Sequence, residues 1–132
     1  ELTADTVKPI DNLNEIYFAD IRNSDGSLND NILGVTITWA VVNGPPSARG
    51  IISMDQIYDD NDFEWSTADK GVAGKFEFGH VATHEIGHGV GMGHAPFDDQ
   101  CKLETMYPTA APANTEGRTL GDGDIAGIKK LY

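Results

Sequence analysis

Apolar and polar positions alternate most regularly between Gly34 and Val42, where threonines separate valine, isoleucine and tryptophan. Such alternation with a period of two is typical of a half-buried strand. A turn at residues 43–47, Asn-Gly-Pro-Pro-Ser, leads into a second strand candidate at residues 49–58. Together these segments predict a hairpin with a longer loop. A β-prone segment at residues 14–21 precedes both strands and predicts a third.

The second half of the chain contains two predicted helices. Residues 78–90 are predicted to form a helix, although Gly87 and Gly89 each cost about 1 kcal/mol relative to alanine. We expect these small residues to let another element pack closely against the helix.

A second helix is predicted at residues 121–132, because Ile125, Ile128 and Leu131 recur at helical spacing. Residues 95–119 are rich in Pro, Ala, Thr and Asp and predict an irregular connection. The order of strands, helix, irregular segment and helix predicts an α+β fold in which a sheet packs on the first helix. The length of 132 residues suits one domain spanning 1–132.

The charge of the chain indicates which classes of binding partner are unfavourable. The chain has 9 basic and 21 acidic residues and a net charge of −12, which argues against nucleic acid and anionic membranes. No apolar run is long enough to span a membrane. No signal-peptide pattern is visible, and a first residue of Glu suggests processing or trimming.

Cys101 is the only cysteine, so no internal disulfide is predicted. We expect it to behave as a small, half-buried apolar residue, and a role as a fourth metal ligand is the less favoured alternative.

Eleven residues from His84 to His94, His-Glu-Ile-Gly-His-Gly-Val-Gly-Met-Gly-His, have the features of a catalytic zinc site. His84 and His88 are four residues apart and therefore face the same side of a helix. Gly91 can end that helix and reverse the chain, so that His94 supplies a third nitrogen. Three protein ligands leave a fourth position open for water, which distinguishes catalytic from structural zinc sites. The spacing matches the His-Glu-x-x-His-x-x-Gly-x-x-His signature of metalloproteases.

Glu85 follows the first of these histidines and is the predicted catalytic base. Zinc lowers the pKa of bound water to about 7. Glu85 would accept its proton as the water attacks a carbonyl carbon, and would return the proton to the leaving amine. The motif therefore predicts hydrolysis of an amide bond without a covalent intermediate.

Beyond the motif, Met106-Tyr107-Pro108 and the ending Leu120 to Tyr132 are similar to the matrixin branch of the metzincins, the matrix-metalloproteinase-like catalytic domains. The resemblance implies a mixed, twisted sheet packed on the active-site helix, an irregular Met-turn segment and a C-terminal helix. It also implies protein or peptide substrates, secretion from the cell and one catalytic zinc ion. A second, structural zinc is not predicted, because Ile57 stands where vertebrate members have a histidine.

The resemblance also implies roles for individual residues. Met106 would form an apolar floor beneath the metal, and Gly91 would support the site. Tyr107, Pro108 and Thr109 would match the wall of the S1′ pocket, which usually accepts an apolar P1′ side chain. The strand at residues 49–55 would match the substrate-binding rim. His80 would line the pocket, although a solvated histidine in the first helical turn is an equal alternative.

Two features depart from a simple match. Residues 1–30 contain no obvious counterpart of the family's first strand and long helix. The acidic loops at residues 20–30 and 59–62 are candidates for a calcium site, but neither has the EF-hand spacing and acidic loops are usually only solvated.

Three alternatives remain open from the sequence. The first is a catalytically inactive zinc-binding module related to the metzincins. The second is a zinc hydrolase that acts on a small amide. The third is a gluzincin-type protease in which Glu104 replaces His94 as the third zinc ligand.

Overall fold

The computed structural model describes residues 13–23, 25–27, 29 and 31–132. Contacts divide the chain into two compact units, Glu1–Asp62 and Phe63–Tyr132, which are described separately. The expectations that concern residues 1–12 lie outside the described residues. The single domain and the packing of the sheet on the active-site helix stay predictions.

The first unit contains a three-stranded mixed sheet. Its strands are β1 (Glu15–Phe18), β2 (Gly34–Val41) and β3 (Gly50–Tyr58), in the order β1-β3-β2. β1 runs parallel to β3, whereas β2 pairs antiparallel with it. The predicted hairpin and the three predicted strands are confirmed, and the hairpin loop contains a 3-10 turn at Pro46–Ala48.

The centre of this sheet is β3, whose C-terminal half is the most buried part. Ile57 is 1% exposed and Tyr58 is 0% exposed, and between Asp55 and Tyr58 β3 also pairs with a strand on each edge. Before Asp55, β3 pairs with β2 on one edge and has no described strand partner on the other, so the expectation that residues 49–55 form a substrate-binding rim stays a prediction. Strand addition requires a free edge. β1 and β2 are the outer strands of this sheet, and each has one edge without a described strand partner.

The second unit contains both helices, α1 (Phe78–Gly89) and α2 (Asp122–Leu131). Both predicted helices are confirmed to within two residues at each end. The unit also contains two parallel strands of two residues, β4 (Trp65–Ser66) and β5 (Phe76–Glu77), which the sequence did not predict. A two-residue strand is too short to show a hydrophobic period. No helix among the described residues is long and apolar enough to cross a membrane.

Helix α1 begins at a buried carboxylate. Glu77 is the N-cap, and its side chain accepts hydrogen bonds from the backbone N–H groups of Gly79 at 3.0 Å and His80 at 2.7 Å. Arg118 Nε donates to the same carboxylate at 2.6 Å and contacts the backbone carbonyls of Ala68 and Asp69 with its other nitrogens. Arg118 therefore ties the start of the helix to two loops.

Candidate metal centre

Three histidine nitrogens meet at one point of the second unit. The Nε2 atom of His88 lies 3.1 Å from Nε2 of His84 and 3.1 Å from Nε2 of His94. These histidines form a group whose candidate ligand atoms all lie within 4.8 Å of one another. Tetrahedral zinc–nitrogen bonds of about 2.0–2.1 Å would place two ligand nitrogens about 3.3 Å apart, close to the observed separation.

Backbone carbonyls orient two of the three imidazoles. Nδ1 of His84 lies 2.7 Å from the carbonyl oxygen of Thr105, and Nδ1 of His88 lies 2.9 Å from that of Met92. A carbonyl oxygen can only accept, so each Nδ1 carries the proton and donates it. In the neutral ring the lone pair is then on Nε2. Lone pairs that face one another repel, and a shared cation removes this repulsion, so the residues present fit a metal ion.

The end of α1 brings the chain back for the third histidine. Gly91 has a φ of 93°, in the left-handed region that favours glycine. Its N–H donates to the carbonyl of His88 at 2.9 Å, and the N–H of Met92 donates to that of Gly87 at 2.9 Å. These two bonds form a Schellman motif. The same turn places the Met92 carbonyl against Nδ1 of His88. The turn that ends the helix therefore also orients the ring of His88.

Met106 packs directly beneath α1. It is 2% exposed, and a β-carbon on Gly87 would lie 2.2 Å from its Sδ atom. The missing side chain of Gly87 therefore admits the methionine, as expected from the small residues of this helix. The carbonyl of Met106 accepts from the N–H of Ala95 at 2.8 Å, next to His94.

A buried carboxylate on α2 holds the segment around Met106. Asp124 is 2% exposed, and its oxygens accept from the N–H groups of Thr105 at 2.6 Å and Met106 at 3.0 Å. Thr105 is 0% exposed and donates its hydroxyl to the Gly117 carbonyl at 3.0 Å. Thr105 thus links α2, the loop at Gly117 and the ring of His84.

Glu85, the predicted base, lies on α1 with 4% of its surface exposed. Burial lowers the pKa of His84. The pKa of His94 is also lowered, mainly by partial burial and to a smaller extent by positive charge on His88 and His84. The negative charge of Glu85 opposes this effect at His94. Lowered pKa values favour the neutral imidazole, which is the form that binds metals. The side chain of His94 is exposed, so the cluster is open to solvent on that side.

The residues predicted to bind substrate occupy different environments. His80 is 7% exposed; its Nδ1 lies 3.4 Å from the Asn114 carbonyl, and a β-carbon on Gly117 would lie 2.2 Å from its ring. The alternative of a solvated first-turn histidine is therefore wrong. Tyr107 and Pro108 are half-buried, and Thr109 is exposed. The Tyr107 ring stacks on Phe97 with centroids 5.4 Å apart.

Two of the residues considered as additional ligands are engaged elsewhere. The Glu104 carboxylate accepts from the backbone N–H of Asp124 at 2.9 Å, which does not favour the gluzincin alternative. Burial and then the charge of Asp98 raise the pKa of the Cys101 thiol, so the protonated form, which is a poor ligand, is favoured.

An acidic cluster lies in the first unit. One carboxylate oxygen each from Asp20, Asp59 and Asp62 can be found within 4.8 Å of one another. Asp59 is 0% exposed and accepts from the N–H groups of Ile21, Asn61 and Asp62 at 2.9–3.0 Å. These bonds give Asp59 a role in shaping the turn without any cation, and the calcium site stays a prediction.

Sequence reasoning missed several residues that support the histidines. Thr105 and Met92 act through their backbone carbonyls, and because every residue has one, the amino-acid type does not indicate this role. Glu77 and Arg118 are distant in sequence and meet only in the fold. Only the role of Glu104 could have been suspected from the sequence. The predicted last helix begins at a glycine, which has no side chain to accept from the first N–H groups of the helix, so another residue is needed there.

The chain matches the matrixin family over residues 8–132. It is similar to matrilysin of Rattus norvegicus, with 35% identity over 99 residues that cover 75% of this chain and 32% of the relative. Matrilysin of Homo sapiens is 37% identical over 73 residues, which cover 55% of this chain and 25% of the relative. Metalloendoproteinase 1 of Glycine max is 43% identical over 61 residues, which cover 46% of this chain and 18% of the relative.

The chain spans about a third or less of the length of these relatives. The family match, in contrast, leaves out only residues 1–7 of this chain. Because this match covers nearly the whole chain, the chain belongs to the matrixin family.

Proposed function

We propose that this protein is a zinc-dependent endopeptidase whose single catalytic ion is held by His84, His88 and His94. The observation that carries the proposal is the convergence of three Nε2 atoms with separations of 3.1 Å from His88 to its two neighbours. The carbonyls of Thr105 and Met92 support it further, because they fix the tautomers of His84 and His88. A zinc ion in this position supplies Lewis acidity that acidifies water and polarises a peptide carbonyl.

Glu85 is the proposed catalytic base and acid. It accepts a proton from the water that attacks the scissile carbonyl and returns this proton to the departing amine, so the bond from carbon to the water oxygen forms first, and the bond to nitrogen breaks when the amine receives the proton. Its burial, and the effect of its charge on the pKa of His94, support this role. A carboxylate in a largely water-excluded position interacts strongly with developing charge.

We further propose that the substrate is a protein or peptide with an apolar P1′ residue. Tyr107, Pro108 and Thr109 would form one wall of the pocket, and His80 would lie at its inner end. The stacking of Tyr107 on Phe97 and the contact of His80 with Gly117 support this proposal, because both rings are held in place. Met106 and Gly91 would support the site without touching the substrate. By analogy with its family, the protein would act outside the cell.

The test is cleavage of a peptide library, analysed by mass spectrometry, with and without a zinc chelator. We expect cleavage within peptides, preferentially before apolar residues, and loss of cleavage with chelator. Cleavage restricted to terminal or small amides would favour the alternative zinc hydrolase. No cleavage by a zinc-loaded protein would favour the inactive zinc-binding module. Cleavage without preference at P1′ would contradict the pocket assignment alone.

A further inference from the structure

Helix α2 begins without a capping side chain of its own. Its N-cap is Gly121, with an extended backbone at φ −75° and ψ 172°. In a capping box, the N-cap side chain accepts from the N–H of the third helical residue, and that residue's side chain accepts from the N-cap N–H. Asp124 performs the second half, since its Oδ2 accepts from the Gly121 N–H at 2.9 Å. Glycine has no atom for the first half.

Glu104 supplies the missing half from another segment. Its Oε2 accepts from the N–H of Asp124 at 2.9 Å. A β-carbon on Gly121 would lie 2.3 Å from this oxygen, and one on Gly123 would lie 2.8 Å from the Glu104 Cδ. Both glycines therefore leave open the space that the carboxylate occupies. A negative charge at this position also interacts favourably with the helix dipole.

The residue that Glu104 caps is the one that holds the backbone of Thr105 and Met106. Asp124 accepts from the N–H of Thr105 at 2.6 Å and from that of Met106 at 3.0 Å. The carbonyl of Thr105 receives the Nδ1 proton of His84 at 2.7 Å. A continuous series of hydrogen bonds thus leads from Glu104 through Asp124 and Thr105 to a histidine of the cluster.

We propose that Glu104 is a positioning residue for the metal centre. By completing the cap of α2 in place of Gly121, it fixes the Asp124 carboxylate and, through Thr105, the ring of His84. The inference rests on the proposed function in so far as His84 is a metal ligand. Removal of Glu104 leaves the Asp124 N–H without this acceptor and loosens the first turn of α2. The Asp124 carboxylate then no longer holds Thr105 at one fixed position.

The experiment uses the whole chain and measures zinc affinity by competition with a chromophoric chelator, together with the visible spectrum of the cobalt-substituted protein. Loss of a residue that orients a metal ligand typically weakens metal binding by about 10-fold to 100-fold. We expect Glu104→Ala to weaken zinc binding by about 10-fold and to change the cobalt spectrum. Asp122→Ala, which removes an exposed charge from the same helical turn, is the matched control and leaves both unchanged.

A second substitution, Gly121→Ser, should have opposite effects in the Glu104→Ala variant and in the wild type. Serine is a favourable N-cap and supplies an oxygen for the N–H of Asp124. Gly121→Ser in the Glu104→Ala background should restore zinc affinity and the cobalt spectrum. Gly121→Ser alone should destabilise the protein, because its β-carbon would lie 2.3 Å from the Glu104 carboxylate. If Glu104→Ala does not fold, recovery of folding and zinc affinity in the double variant supports the inference, and failure to recover overturns it.

Failure of this inference and failure of the proposed function would give different results. Wild-type zinc affinity and an unchanged cobalt spectrum in Glu104→Ala, even with a lower melting temperature, would overturn the inference and leave the proposed function intact. A wild-type protein that binds neither zinc nor cobalt would overturn the proposed function and this inference together.

Discussion

Gly87 and Met106 pack in a way that excludes any side chain at residue 87. A β-carbon there would lie 2.2 Å from the Met106 Sδ atom, far inside van der Waals contact. The helix that bears two histidines of the cluster and the Met106 side chain that packs against it are therefore matched in shape. The glycine costs the helix about 1 kcal/mol in propensity but allows the close approach.

Gly87→Ala should destabilise the protein in spite of the better helix propensity of alanine. Overpacking of a filled interior typically costs about 1–3 kcal/mol, which exceeds the gain in propensity. Chemical denaturation of the metal-free protein measures this difference. In a Met106→Ala background the same substitution should cost less or become stabilising, because the sulfur is gone. Equal costs in both backgrounds would show that the two residues do not interact.

Glu77→Gln should weaken the start of α1 in a pH-dependent way. Burial raises the pKa of Glu77, but the hydrogen bond and charge of Arg118 and the N–H groups of Gly79 and His80 outweigh it, so the pKa lies below its usual 4.5. The stabilisation is complete above this unfolded-state value and is lost as pH falls through the lower folded-state pKa. The variant should lose about 2 kcal/mol at pH 7, as expected for hydrogen bonds to a buried charge.

The matched control is Glu64→Gln, which removes an exposed carboxylate paired with Lys75. Exposed ion pairs contribute little, so its stability should equal that of the wild type. Urea unfolding at pH 7 and at pH 3 compares the three proteins. We expect the difference between wild type and Glu77→Gln to shrink at pH 3; a constant difference would mean that the charge of Glu77 is irrelevant.

Gly71→Ala should be strongly destabilising although residue 71 is exposed. A β-carbon there would lie 1.8 Å from the carbonyl oxygen of Ala113, and backbone atoms cannot move aside cheaply. Ala113 already has a φ of 64°, which strains a residue with a side chain. We expect a loss of about 3 kcal/mol. Gly93→Ala, which places its β-carbon in open space, is the control for thermal unfolding and should be neutral; similar melting temperatures for both variants would contradict the packing at residue 71.

Local patterns were sufficient for the parts of the fold that have a period or a fixed spacing. β2 follows from alternation and α2 from helical spacing, while the motif predicted α1 and the histidine positions. The partners of His84 and of the Asp124 N–H could not be predicted, because Thr105 acts through its backbone and Glu104 reaches across 20 residues. Such contacts depend on how irregular segments pack, and the segment at residues 95–119 has no pattern from which its path could be derived.

The zinc centre and the role of Glu85 are tested together by comparing wild type and Glu85→Gln for zinc content and peptide cleavage in the same samples. We expect one zinc ion per chain in both proteins, because Glu85 is not among the three clustered ligands. Peptide turnover should fall by about 10²-fold to 10⁴-fold in the variant, as expected for loss of a general base. Cleavage at the wild-type rate by zinc-loaded Glu85→Gln would contradict the proposed role of Glu85, and a wild-type protein without zinc would contradict the metal centre itself.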